Sequence, residues 1–207
     1  MHKSTTQQPI FAAHVFFSSF EINMTDETSE VQITDWIQAL KLQPHPEGGF
    51  FSETYRSKDE CTLERVNNQI RPCSTAIYFL LQHPQSPKSV FHRIKADEMW
   101  HFYQGLPLSI HVLDEEQSSH TEYILNNRLD INTDACPQIL VPYGKWFAAE
   151  ILTTSIDDRK ERFTLCGCTC SPGFDYQDFE WGKRSDLIKK FPHLKELIIR
   201  LTLSEEN

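Results

Sequence analysis

Histidine and glutamate are the side chains best suited to hold a divalent metal or to move a proton near neutral pH. The stretch FHRIKADEMWHFYQG carries one of each, at His92 and Glu98, with Ile94 two residues after the histidine. Along a strand through Glu98, a period of two puts Glu98, Trp100 and Phe102 on one face and His101 and Tyr103 on the other. Without a bulge to turn it inward, His101 is therefore read as an outer-face or interface residue rather than a partner of His92. His45 and His83 adjoin prolines and read as exposed loop residues.

A second constellation lies in SETYRS. Strict alternation gives Glu53 and Tyr55 one strand face and Arg56 the other, so only the first two would reach a common cavity. GFFSE is also similar to a segment of the sugar-nucleotide epimerases, which use a histidine base and a tyrosine acid, and that resemblance opens those roles to His92 and Tyr55, since deprotonation beside a carbonyl needs a base of near-neutral pKa and a donor opposite it. A third group is Cys166, Cys168 and Cys170 in FTLCGCTC. At ~3.3 Å rise per residue, alternate side chains on one strand stand about 7 Å apart, too far for three of them to surround one zinc, so they are read as buried free thiols. The six cysteines include no Cys-x-x-Cys pair, which favours a reducing, intracellular compartment and a cytoplasmic protein.

These residues need elements to position them. The chain has 207 residues, of which 39% are hydrophobic and 24% charged, the balance of one globular domain. A net charge of -9 and basic runs no longer than Lys189-Lys190 leave nothing to bind a phosphate backbone, so nucleic acid is excluded as a partner. The apolar run over residues 10–20 is interrupted by His14 and two serines and falls short of the ~20 residues that span a bilayer. No convincing signal-peptide pattern precedes it, and Met24 is a candidate alternative start. Residues 1–33 are read as a flexible N-terminal extension and residues 34–204 as the domain.

Ser29 with Gln32 resembles a capping box, and Ile33, Trp36, Ile37 and Leu40 recur at helical spacing, predicting one short helix. Pro44, Pro46 and Gly48-Gly49 end it in a tight turn. Residues 50–170 then run as short β-rich segments between turn signals, the pattern of an all-β sandwich or barrel. The C-terminal end returns to helix. Ser185 is the expected cap, and Leu194, Leu197, Ile198 and Leu201 form a stripe that packs on the outside of the barrel.

With its glycine at Gly105, the stretch from His92 resembles the first motif of the cupin superfamily, in which a turn brings imidazoles and a carboxylate together around a metal. CPQILVPYGKWF resembles the second motif. Pro142 and Gly144 match it, but Cys136 replaces its first glycine and Phe147 its histidine ligand. The strings HPEGGFFSETYRS, STAIYFLL, DEMWHFYQG and CTCSPGFDYQDFE are together similar to the single-domain cupins of domain-of-unknown-function family 985, over residues 35–203. The resemblance implies a double-stranded β-helix, or jelly-roll barrel, with short flanking helices, usually paired as a homodimer. It implies only half a metal site, His92 and Glu98, since Ile94 and Phe147 stand where the other ligands would be. A divalent metal is a minor alternative, and no other cofactor is implied.

The expected site is an apolar, aromatic-walled cavity with a polar floor. His92, Glu98 and Tyr55 are its candidate catalytic groups, and Glu53, Tyr78, Trp100, Phe102, Gln138, Phe147 and Cys168 its candidate lining. Plain core packing is the competing reading for Phe102. The acidic, aromatic stretch over residues 174–179 is expected to fold over the barrel mouth or edge. The functions in view are binding of a small organic or carbohydrate-like molecule, with or without an enzymatic reaction on it. Passive sequestration or sensing, epimerase-like isomerisation, and metal-dependent chemistry at His92 and Glu98 are the alternatives.

Overall fold

The computed structural model describes residues 33–127, 134–152 and 162–204. The capping pair Ser29 and Gln32 and most of the N-terminal extension lie outside them. Helix α1 (Ile33–Ala39) ends where Lys41 takes a positive φ of 53°. The β-rich segments become β1 (Gln43–Pro44), β2 (Phe50–Arg56), β3 (Glu60–Thr62), β4 (Ile70–Pro72), β5 (Thr75–Gln82), β6 (Lys88–Ile94) and β7 (Asp97–Gly105). They continue as β8 (Leu108–Asp114), β9 (Ser119–Leu125), β10 (Gln138–Val141), β11 (Trp146–Ile151), β12 (Phe163–Ser171) and β13 (Phe179–Trp181). Helices α2 (Arg184–Lys190) and α3 (Lys195–Arg200) follow.

The strands form a six-stranded sheet in the order β1-β2-β5-β12-β7-β10 and a five-stranded sheet in the order β13-β6-β11-β8-β9. Their inner faces close on one core that includes Phe79, Trp100, Phe102, Ile110, Phe147 and Cys166, giving the expected jelly-roll barrel. Period-two alternation is clear on β7, where Glu98, Trp100 and Phe102 are buried between less buried neighbours. Gly105 ends this strand at φ +106°, and a Cβ there would stand 2.0 Å from the Phe163 carbonyl oxygen. Only glycine allows that approach.

The outer faces are covered by helices. Ile33, Trp36 and Ile37 of α1, with Leu40 just after it, pack on Leu80, Phe163 and Leu165 of the six-stranded sheet. Leu187 of α2, with Phe191, Ile198 and Leu201, packs on Phe91, Leu113 and Trp146 of the other. This is the outside position predicted for the C-terminal stripe. The capping expectation is corrected, because α2 starts two residues early and Lys183, not Ser185, holds the cap position. No helix among the described residues is long and apolar enough to cross a membrane.

Candidate active site

Between the sheets lies a cavity of about 390 Å³. Its inner end is set by β6 and β7, which deliver His92 and Glu98, at 3% and 7% exposure. The His92 Nδ1 lies 2.8 Å from the Val90 carbonyl oxygen, so Nδ1 carries the proton and a neutral ring presents its lone pair at Nε2. Nε2 in turn stands 3.4 Å from Oε2 of Glu47, which accepts a 2.9 Å bond from the Ser89 hydroxyl. Glu47 belongs to the turn between β1 and β2. Gly49 shapes that turn at φ +71°, where a Cβ would meet the Leu80 carbonyl oxygen at 2.4 Å.

Removal from water disfavours charge on all three groups. Burial lowers the pKa of His92 against the pull of Glu98 and the Val90 carbonyl, and burial raises that of Glu47. Burial also dominates at Glu98, whose pKa rises to about 7, with His92 opposing the shift and Glu47 adding to it. The Cys168 thiol is a hydrogen-bond neighbour of Glu98. An imidazole pushed down and two carboxyls pushed up therefore face one cavity, and Glu98, at about 7, can exchange a proton near neutral pH.

The walls are apolar. Phe51 and Phe79 line the cavity, and the His45 ring meets both edge-on, at 4.7 Å and 5.2 Å between centroids. Trp100 also lines it, and its buried indole Nε1 has no hydrogen-bond partner among the described residues. At the outer end Arg56 grips Glu53 with Nε and Nη2, at 2.9 Å and 2.6 Å, and gives Nη1 to the Phe174 carbonyl. Phe174, Asp175 and Tyr176 complete this end, so the acidic, aromatic segment does lie at the mouth. Arg71 anchors it through a buried two-pronged ion pair to Asp178.

Of the sequence-predicted residues, the structure brings His92, Glu98, Glu53, Trp100 and Cys168 to the cavity. Five others need correction. Tyr55 is 53% exposed and outside the lining, because β2 carries a bulge. Glu53 pairs with Ile77 but Tyr55 with Ala76 and Arg56 with Thr75, so the slip turns Arg56 inward and Tyr55 outward. The base-and-acid pairing of His92 with Tyr55 therefore lacks its acid. Tyr78 sits on the outer face, against the cluster of Leu42, Leu80, Phe163 and Leu165 and edge-on to the Tyr103 ring. Gln138 is outside too, where its amide nitrogen stands 3.0 Å from His101 Nδ1. Phe102 is core and does not line the cavity. Phe147 lies behind the site, its ring centroid 4.0 Å from that of His92.

Sequence reasoning missed Glu47, turned Arg56 to the wrong face and misjudged His45, which lines the cavity instead of standing in solvent. The one available signal was the string HPEGG, where paired glycines force the chain into a turn too tight for its polar residues to point freely. Ile94 and the Phe147 ring stand where the motif resemblance would put two further ligands, and no three His, Cys, Asp or Glu among the described residues are grouped to hold an ion.

A family model described as Cupin superfamily (DUF985) matches residues 34–182. The chain is 26% identical over 189 residues to the uncharacterized protein YML079W of Saccharomyces cerevisiae, covering 83% of this chain and 85% of the yeast protein. Among solved structures, a hypothetical protein from Leishmania major matches with a TM-score of 0.73 and 32% identity, over 84% of this chain and 99% of that one. Protein SO0799 from Shewanella oneidensis matches with a TM-score of 0.69 and 34% identity, over 84% and 98% of the respective chains.

Proposed function

This chain belongs to the DUF985 family of the cupin superfamily, and we propose that its barrel binds one small organic molecule, toward which His92 acts as a base. The polar end of the ligand lies at Glu47, His92 and Glu98, and its apolar flank lies against Phe51, Phe79 and Trp100. One observation carries this reading: three titratable side chains, nearly stripped of bulk water, open on one apolar cavity. Burying such groups costs several kcal/mol where no partner compensates them, by roughly the transfer cost of a polar group. A ligand that hydrogen-bonds to them supplies that partner. The cavity also has the size and lining of a small-molecule site.

Mass spectrometry of the natively purified, untagged protein tests whether a small molecule is carried. Ligands found in this way, or by thermal-shift screening, are then incubated with the protein in D₂O. A base at His92 predicts deuterium wash-in at an acidic C–H of the ligand, lost in His92→Gln while the fold and binding persist. Binding without wash-in in either protein would instead favour a sequestering or sensing role. We further infer a cytoplasmic homodimer, supported by the cysteine spacing and the family resemblance. Sedimentation velocity tests the dimer.

A further inference from the structure

The charge inventory of the cavity narrows the ligand class. Four carboxyl groups line it, those of Glu47, Glu53, Glu98 and Asp175, against one guanidinium, that of Arg56. That guanidinium is already paired. Its Nε and Nη2 are held by Glu53 and its Nη1 by a backbone carbonyl, so three of its five N–H donors are spent and its charge is offset by the Glu53 carboxylate. The two imidazoles, His45 and His92, are kept toward their neutral forms by burial. An anionic ligand would meet four carboxyl groups and one cation already paired with Glu53.

The inner end has the opposite preference. Glu98 is more than nine-tenths buried, and its hydrogen-bond neighbour is the Cys168 thiol, a weak donor. Among the described residues most of the acceptor capacity of this carboxyl group is thus unused. Glu47 offers a second carboxyl beside it, and the intervening walls are the rings of Phe51, Phe79 and Trp100. Carboxylates joined to aromatic faces in a dry pocket make the surroundings that favour an organic cation, through charge-assisted hydrogen bonds and attraction to the ring faces. A neutral polyol would need many hydrogen-bond partners, and these walls supply few.

We propose that the cavity takes a small organic ammonium, its N–H donors on the Glu98 and Glu47 carboxylates and its apolar or aromatic flank against Phe51, Phe79 and Trp100. This rests on the reading of the cavity as a small-molecule site. His92, neutral and without a net charge to repel the cation, stands beside the ammonium as acceptor for a ligand proton. Entry of the cation ionises Glu98, so binding expels a proton into solution.

The test is isothermal titration of the full-length protein at pH 7 with three probes of one shape: benzylammonium, benzyl alcohol and benzoate. Benzylammonium is expected to bind at least about tenfold more tightly than the alcohol, a difference of one decade in Kd, with benzoate showing no binding. Repetition in phosphate and Tris buffers should show protons released on binding of the ammonium alone. Glu98→Gln should remove most of the ammonium's advantage and leave alcohol affinity within about threefold, well under that decade, with Glu47→Gln as the second variant if Glu98→Gln unfolds. Alcohol binding as tight as ammonium, or benzoate binding tighter, overturns the ammonium assignment and leaves the cavity a ligand site. Binding of none of the three overturns both.

Discussion

His92 and Phe147 are directly paired across β6 and β11, and their ring centroids lie 4.0 Å apart at an angle of 61°. The phenyl ring thus stands where the second cupin motif would supply its histidine, and it covers one side of His92. Phe147 is 1% exposed, so Phe147→Ala should destabilise the protein by about 3–5 kcal/mol, the usual cost of an aromatic-sized core deletion. Urea unfolding at pH 7 checks this. A loss below about 1 kcal/mol, the level of a surface change, would mean that the ring is not part of the packed wall.

The same pairing predicts what would restore a metal site. In the double variant Ile94→His, Phe147→His, four side chains of ligand type would occupy the motif positions, and elemental analysis should find about one divalent ion per chain, as a four-ligand set permits. The natural chain, purified identically without a His-tag, should carry less than about a tenth of an equivalent, given how tightly complete sites retain their ions. A full equivalent in the natural chain would contradict the reading of its donor set.

Glu98 makes stability depend on pH in an unusual direction. Its pKa is about 7 in the folded chain against an ordinary value of 4.5. The unfolded chain therefore ionises first, and the contribution of the neutral carboxyl to stability is complete below pH 4.5 and lost as pH rises through 7. Glu98→Gln cannot ionise. Its unfolding free energy relative to wild type should improve by roughly 3 kcal/mol between pH 4.5 and pH 8, the equivalent of that shift. A difference that stays constant with pH would show that Glu98 ionises freely in the fold.

Arg71 holds the mouth from beneath. Its side chain is 5% exposed and that of Asp178 8%, with Nε and Oδ2 2.7 Å apart. Arg71→Met would strand a buried carboxylate, a loss of about 3–5 kcal/mol. It should also raise hydrogen exchange over residues 174–178 before it affects the rest of the barrel. Unchanged exchange there would separate the ion pair from the ordering of the mouth.

The thiols give a simpler check. Burial raises the pKa of Cys168 and Cys170 far above the ordinary thiol value, whereas Cys136 is exposed. Iodoacetamide at pH 8 should alkylate Cys136 in the native protein and reach Cys166, Cys168 and Cys170 only after unfolding, since the thiolate is the reactive form. Native labelling on β12 would mean that the barrel opens readily.

Much of this architecture is legible in the chain. Glu98, Trp100 and Phe102 point inward on β7 because alternation is a local rule, and the same rule places His101 outside, where it meets Thr169 at 3.1 Å. The rule fails where the backbone departs from regularity or where contacts are made at long range. At β2 one extra residue reverses the faces of Tyr55 and Arg56. Glu47 reaches His92 across 45 positions of chain, and nothing local to the turn marks that meeting. Nothing local marks Tyr78 and Gln138 as outward, although the cluster of Leu80, Phe163 and Leu165 and the His101 ring claim them on the outer face.

The bulge in β2 has a consequence beyond this molecule. Thr54 is the supernumerary residue, its hydroxyl bonded to the Ala76 carbonyl. A strand of unbroken alternation through Glu53, Thr54, Tyr55 and Arg56 would turn a phenol into the cavity and a guanidinium out to solvent. Parity, rather than amino-acid type, decides which functional group guards the entrance. A homologue can keep all four letters and present a different chemistry there, or change the neighbouring letters and preserve it, so alignments of this strand are better compared by residue count than by identity.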